Sequence, residues 1–299
     1  MIRRMELATL KLFRDIADSE SFTRGARLND ISQSAASQQM QHLEDQLGLR
    51  LIDRGKRPLT LTPAGEVYLR AARDMLRRYE ELQSSLEAFK DQIAGVVRVA
   101  SIYSIGLYDM ARHTREFTRL YPKASVRLEY LRTDEVYTAV LEDRADIGLL
   151  SYPNPTKDLE IIPWRREQMI VAVNREHPLS GETKVDAAKL EGQPFVAFDD
   201  DLYIRKVVDR YLKEHRVTVR PVMHFDNIAN IKEAVGIGEG VSILPEPTVR
   251  QDVALGRLSA IPLNGAELVR TLGIIHRRRK KLSPAAIRFL ELLQREVKE

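Results

Sequence analysis

The sequence predicts three parts in series: a small helical domain ending in a β-hairpin, one long helix, and an α/β region of two lobes. Three observations carry this reading. Apolar residues recur at helical spacing through three short segments before Gly48, and strand-like alternation around a basic loop follows. From Tyr68 an alternating four–three repeat of apolar residues continues for more than three heptads. Beyond Gly95, short apolar runs alternate with helical segments almost to the C-terminus.

The bulk properties agree. With 299 residues, 43% of them hydrophobic and 30% charged, the chain can build two domains or three small ones. No run approaches the roughly 20 apolar residues of a membrane helix, and Met1–Glu6 leads into no apolar signal core, so a cytoplasmic protein without membrane partners is expected. The absence of cysteine excludes disulfides, thiolate nucleophiles and Cys-based zinc sites. The net charge of +4 comes from the ends of the chain: residues 270–299 hold nine Lys/Arg against three Asp/Glu, whereas the middle is mildly acidic. That distribution permits nucleic-acid binding without requiring it.

In the first helix, over residues 6–20, Leu7, Leu10, Ile16 and Ala17 share one face. Ser21-Phe22-Thr23 starts a second, and Asn29-Asp30 makes a turn. Ser32 can cap a third helix whose apolar stripe is Ala36, Met40, Leu43 and Leu47, ended by Gly48. Its other face is Gln33, Ser34, Ser37, Gln38 and Gln41, with almost no Lys or Glu among them. Such a face is either merely polar and solvated, or suited to base edges in a major groove, where Gln pairs with adenine and Ser with any base. The alternation in Leu49–Arg54 and Leu59–Thr62 then forms a hairpin around Gly55-Lys56-Arg57-Pro58. A basic hairpin after a helix–turn–helix is a wing, placing Arg54, Lys56 and Arg57 against phosphates or in a minor groove.

Ser21-Phe22-Thr23-Arg24-Gly25-Ala26, Ile31-Ser32-Gln33-Ser34-Ala35-Ala36-Ser37, Leu43-Glu44, Leu47-Gly48, Leu51 and Leu61-Thr62-Pro63-Ala64-Gly65 together resemble the amino-terminal signature of LysR-type transcriptional regulators. The match runs ungapped over about 60 residues, and the order of the later elements extends it to the full chain. One position departs: Asn29 stands where the family usually has leucine, and Leu28 precedes it. The resemblance implies an all-α winged helix-turn-helix domain, a coiled-coil linker helix and a two-lobed, periplasmic-binding-protein-like effector domain. It also implies double-stranded DNA, a small-molecule effector, a homodimer or homotetramer and RNA polymerase as partners. The expected boundaries are 6–63 for the DNA-binding domain (helix-turn-helix about 21–40), 64–93 for the linker and 94–299 for the regulatory domain. DNA contacts are expected from Arg24, Ser32, Gln33, Ser34, Ser37, Gln38, Gln41, Arg54, Lys56 and Arg57.

Thr62-Pro63 reads as an N-cap followed by proline in the first turn. The seam residues are Tyr68, Ala72, Met75, Tyr79, Leu82, Leu86, Phe89 and Ile93. Some 30 helical residues span about 45 Å. The narrow stripe favours pairing between two chains over a core helix of one domain.

In the regulatory half, strands are expected at Val96–Ser101, Val126–Leu131, Ile147–Leu150, Met169–Val173, Phe195–Phe198, Arg220–Phe225, Val241–Leu244 and Leu268–His276, in largely parallel sheets. Lobe I would take 95–160 and 266–299, lobe II 161–265, with a hinge where the chain crosses twice. Ligands bind between such lobes at the carboxyl ends of strands. Candidate contacts are Ser101, Tyr103, Ser104, Thr133, Phe198, Asp200, Phe225 and Asn227.

Other features read plainly. Asp199-Asp200-Asp201 suits a solvated turn better than a metal site. Gly236-Ile237-Gly238-Glu239-Gly240 follows a helix and precedes a strand, the reverse of a nucleotide loop. His276–Lys281 reads as a solvated basic loop, with contact to DNA or a neighbouring subunit as the alternative. No nucleophile elbow, phosphate loop or close histidine pair is present, so no enzyme, cofactor or metal is expected. A ligand-responsive regulator is the first reading, and an effector-independent architectural DNA-binding protein the second.

Overall fold

The computed structural model describes residues 6–53, 55, 58–88, 93–265 and 267–295. These divide into two compact units, one of residues 1–95 with 142–144 and one of residues 96–141 with 145–299.

The first unit opens with α1 (Leu7–Ser19), α2 (Phe22–Arg27) and α3 (Gln33–Leu47). Ser21 and Ser32 cap α2 and α3 by accepting from Arg24 N and Ala35 N, and Gly48 closes α3 at φ 66°. Leu12, Phe13, Ile16, Ala26, Ala36, Met40 and Leu43 form the core with Leu51 and Ile52. A Cβ on Gly25 would lie 2.5 Å from the Ile16 side chain, so α2 crosses α1 at a distance only glycine permits. The wing is a two-residue antiparallel pair, β1 (Ile52–Asp53) with β2 (Thr60–Leu61), so the domain is helical with a small sheet rather than all-α. The strands are shorter than expected, and Arg54, Lys56 and Arg57 lie outside the described residues.

Asn29 explains its own departure from the family pattern. Its amide donates to Asp15 Oδ2 and Gly25 O, both at 2.9 Å, and its carbonyl accepts from Lys11 Nζ at 2.8 Å. A polar network thus ties α1 to the end of α2, while Leu28 is left 60% exposed. Asn29→Ala removes both donors from partly buried acceptors. It is expected to cost the first unit about 1–2 kcal/mol in urea unfolding.

The chain continues into α4 (Pro63–Ala88). Its first turns pack on α1: Tyr68 stands edge-on to Phe13 at 5.0 Å, and Ala72 and Leu76 close over Leu10. Two expected seam positions are therefore engaged within the chain, since Ala72 is fully buried and Tyr68 largely so. Met75, Tyr79, Leu82 and Leu86 remain exposed apolar residues. Ile93 lies beyond the end of α4, and Phe89 lies outside the described residues.

The second unit holds β3 (Ala94–Ile102), α5 (Tyr103–Leu120), β4 (Lys123–Leu131), α6 (Thr133–Leu141), β5 (Ile147–Ser151), β6 (Leu159–Asn174), β7 (Pro194–Phe198), α7 (Tyr203–Glu214), β8 (Arg220–Phe225), α8 (Ile228–Gly236), β9 (Ser242–Pro245), α9 (Glu246–Ala254), β10 (Leu258–Pro262), β11 (Val269–Arg277) and α10 (Pro284–Arg295). The strand order is β10-β6-β11-β5-β3-β4, with β9 on β6 and β7 beside β8. β3/β5 and β7/β8 are parallel, but β6 pairs antiparallel with β9, β10 and β11, as β11 does with β5. The sheets are mixed, not largely parallel.

β6 is one continuous sixteen-residue strand. Its first half pairs with β11 and its second with β9 and β10. Partners change near Gln168-Met169, beyond the boundary expected at 160/161, so the first crossing between the lobes lies within one unbroken strand, whereas on the return β10 ends at Pro262 and β11 begins at Val269. The first lobe packs Val136, Ala139 and Val140 against Leu150, Leu159 and Ile275; the second gathers Met169–Val173, Phe195–Phe198, Ile231, Val235 and Leu268. β10 and the first half of β6 were not expected as strands. Pro163 sits at a register shift opposite Leu272/Gly273, where a missing N–H is tolerated.

Candidate functional site

The uncharged face of α3 is on the surface. Ser32, Gln33, Ser34 and Gln38 are exposed and Ser37 half-buried, while Ala36, Met40 and Leu43 fill the core on the other side. The Ser32 oxygen caps the helix and shares a 2.9 Å hydrogen bond with Ser34 Oγ. The Gln41 amide donates to Asp45 at 2.8 Å. Gln33, Ser34, Ser37 and Gln38 thus form the first two turns of an exposed hydrogen-bonding helix, with Arg24 exposed on α2. Behind them Glu44, only 3% exposed, braces helix to wing: its Oε1 accepts from Leu51 N at 2.8 Å and Ile52 N at 3.0 Å. Both N–H groups are buried at the mouth of the hairpin. Residue type alone did not reveal that role, although Glu44 lies in the quoted signature.

In the second unit a cavity of about 440 Å³ opens where β3, β7 and β8 end and α5, α6, α7 and α8 begin. Of the candidate contacts, Tyr103, Ser104, Thr133, Phe198 and Asn227 line it. Three other candidates do not. Ser101 is fully buried and donates to Ile102 O; Asp200 points to solvent beside Arg205; Phe225 packs on the second lobe's core. An alternating strand puts every second residue away from the cleft, and the sequence gives no phase for its last residue.

The strongest polar groups there were not foreseen. Arg270, 1% exposed, donates to Glu167 through Nε at 2.8 Å and through Nη2, and to Ser104 Oγ through Nη1 at 2.8 Å. Arg270 and Glu167 are register partners on β11 and β6, so this ion pair lies where the two lobes join. Arg132, before α6, extends to Asp201 at 2.5 Å and Asp226 at 3.2 Å, both at helix starts of the second lobe. Tyr152 lies between, at φ 51°, with its ring 5.1 Å from Tyr203. Burial pushes its phenol up to about 12, against the opposing pull of Arg270, so it serves only as a neutral hydroxyl. Positions this far apart in sequence meet only through the fold.

The remaining charged motifs have structural partners. Asp199 pairs with His224, Asp200 with Arg205 and Asp201 with Arg132, so the acidic triplet diverges. Among the described residues no three metal-ligating side chains converge. In the basic run, Lys280 pairs with Asp146 at 2.7 Å and Arg278 donates to Leu159 O. Burial, with Arg112 and Arg165 nearby, lowers His113 to about 4, and its ring lies beside Trp164. No described helix is long and apolar enough to cross a membrane.

Comparison with known proteins agrees with both units. The bacterial regulatory helix-turn-helix model of the lysR family matches residues 7–66, and the LysR substrate binding domain model matches residues 90–298. The regulator CysL of Bacillus subtilis is 27% identical over 267 residues, 89% of each chain. CbnR complexed with its target DNA shares the fold at a TM-score of 0.71 and 22% identity, over 97% of this chain and 99% of that one. The Synechocystis CcmR regulatory domain, in complex with 2-PG, does so at 0.62 and 24%, over 69% of this chain and 98% of that one. The helix-turn-helix unit and the two-lobed unit that follows it are thus matched over nearly the whole chain, and the protein belongs to the LysR family of DNA-binding transcriptional regulators.

Proposed function

We propose that Gln33, Ser34, Ser37 and Gln38 read base edges in a major groove, with Ser32 and Gln41 at the margins of that contact. Arg24 and the wing residues Arg54, Lys56 and Arg57 hold phosphates or enter the adjacent minor groove. One reading head with so few base contacts discriminates weakly, so two copies act together, paired through Met75, Tyr79, Leu82 and Leu86 of α4. Burial of four exposed apolar residues on one helix face supports that pairing. The coiled coil then begins beyond Ala72, and a pair of dimers makes a tetramer.

The cavity between lobes I and II holds a small effector; the CcmR regulatory domain, which has the same fold, is in complex with a small molecule. Its binding changes how the lobes close on β6 and β11, and so the spacing of the reading heads, DNA bending and contact with RNA polymerase. The protein works in the cytoplasm as a regulator and not as an enzyme. The observation that carries this reading is the 440 Å³ cavity at the starts of four helices, bridged from one lobe to the other. An architectural protein without an effector has no use for it.

The test is footprinting on the DNA upstream of the protein's own gene, with and without a metabolite pool. Paired protected half-sites that shift with the pool are expected. Gln33→Ala/Ser37→Ala lowers specific affinity by about 5- to 100-fold per lost base contact, leaving non-specific binding and its salt dependence nearly unchanged. Equal loss on specific and random DNA overturns the base-reading assignment.

A further inference from the structure

We propose that the effector is a small zwitterion whose amino or guanidino group displaces the Arg132 guanidinium from between Asp201 and Asp226. This rests on the cleft being the effector site. Arg132 belongs to the first lobe and its two carboxylate partners to the second, at 2.5 and 3.2 Å. A cation tethered by its own chain already occupies the mouth of the cavity. All three side chains are at least 42% exposed, and ion pairs so exposed hold weakly, so a free ligand cation competes successfully.

The charge balance around the cavity points the same way. Asp134, Asp201 and Asp226 line it against Arg132 and Arg270, and Arg270 is already neutralised by buried Glu167. A ligand carrying only negative charge meets no unspent cation. The aromatic lining of Tyr103, Tyr137, Tyr152, Tyr203 and Phe198 adds ring faces that attract cations. The lining around Ser104 differs. There Ser104 Oγ sits 2.8 Å from Arg270 Nη1 in the first turn of α5, which carries no acid and whose preceding residue, Ile102, makes no side-chain cap. The corresponding turn of α6 carries Asp134 and Glu135. Of these two helix starts, the one on α5 suits the ligand's carboxylate. The cavity is bipolar, and its poles fit the two ends of an amino acid or a close analogue.

Calorimetric titration of the full-length protein tests this with two probe sets. One is the protein amino acids, ornithine and agmatine; the other is succinate, malate and 2-PG. At least one amino-bearing carboxylate is expected to bind. Asp201→Asn/Asp226→Asn should weaken it at least about tenfold, whereas Arg132→Ala removes the resident competitor and should tighten it about two- to tenfold. Binding of the acids with silence from the amino compounds overturns the zwitterion and leaves the cleft as effector site. So does amino-compound binding unaffected by the Asp substitutions. Silence from both sets also overturns the zwitterion. A Phe198→Arg variant that blocks the cavity then decides the wider reading: if a metabolite extract alters DNA binding equally in that variant, the cleft assignment falls as well.

Discussion

Arg270→Ala is expected to lower the stability of the effector-binding region by about 3–5 kcal/mol. The side chains of Arg270 and Glu167 are 1% and 2% exposed, so removing the cation strands a carboxylate in the interior. Arg165 Nη2, at 3.3 Å from the other Glu167 oxygen, offsets only part of that loss. Arg270→Met/Glu167→Met tests the cause. If the cost is that of an uncompensated charge, the double variant recovers most of the lost stability in thermal unfolding. If it unfolds as early as Arg270→Ala, packing and not charge sets the cost. The double variant is also expected to lose its effector response, because Ser104 loses the guanidinium that orients it. Recovery of stability without recovery of response assigns this ion pair to function.

The second large effect lies in the DNA-binding unit. Glu44→Ala leaves the buried N–H groups of Leu51 and Ile52 without an acceptor, at about 1–3 kcal/mol each. A charged acceptor makes these bonds stronger than neutral ones. Glu44→Gln keeps a carbonyl oxygen at the same place and is expected to cost less than half as much. Hydrogen exchange at Leu51 and Ile52 reads this directly: protection falls steeply in the alanine variant and moderately in the glutamine variant. Specific DNA binding falls in the same order, since the wing no longer keeps its register with α3. Equal protection in both variants dismisses the brace.

The DNA-binding unit was the more legible part of the sequence, and the reason is physical. Its signals are local: Ser32 and Gly48 bound the fifteen residues of α3, and Ala36, Met40 and Leu43 mark the buried face at helical spacing. The split of the α4 stripe was not legible. Tyr68, Ala72 and Met75 belong to one repeat, and only the presence of α1 buries the first two and leaves the third exposed. In the effector region the strand ends pointed to Ser104, Thr133, Phe198 and Asn227 because helix starts announce themselves by residue type. The ion pairs did not. Glu167 lies in the run Arg165-Arg166-Glu167, outside every strand expected from the sequence, and only β11 brings Arg270 alongside it across 103 residues.

The contacts around Leu51 have a mechanical consequence. Its N–H is fixed by Glu44, its carbonyl accepts from Thr62 N at 3.0 Å, and a Cβ on Gly65 would lie 2.0 Å from that carbonyl oxygen. Thr62 Oγ1 also donates to Arg50 O and accepts from Gly65 N, so α3, the hairpin and the first turn of α4 converge on the two peptide units flanking Leu51. A joint this crowded does not flex. α3 and α4 therefore turn as a single crank, with α4 as its arm. Under the proposed pairing and base reading, a change in the distance between two copies of α3 is produced at the far end of that arm and is passed to α3 through this joint.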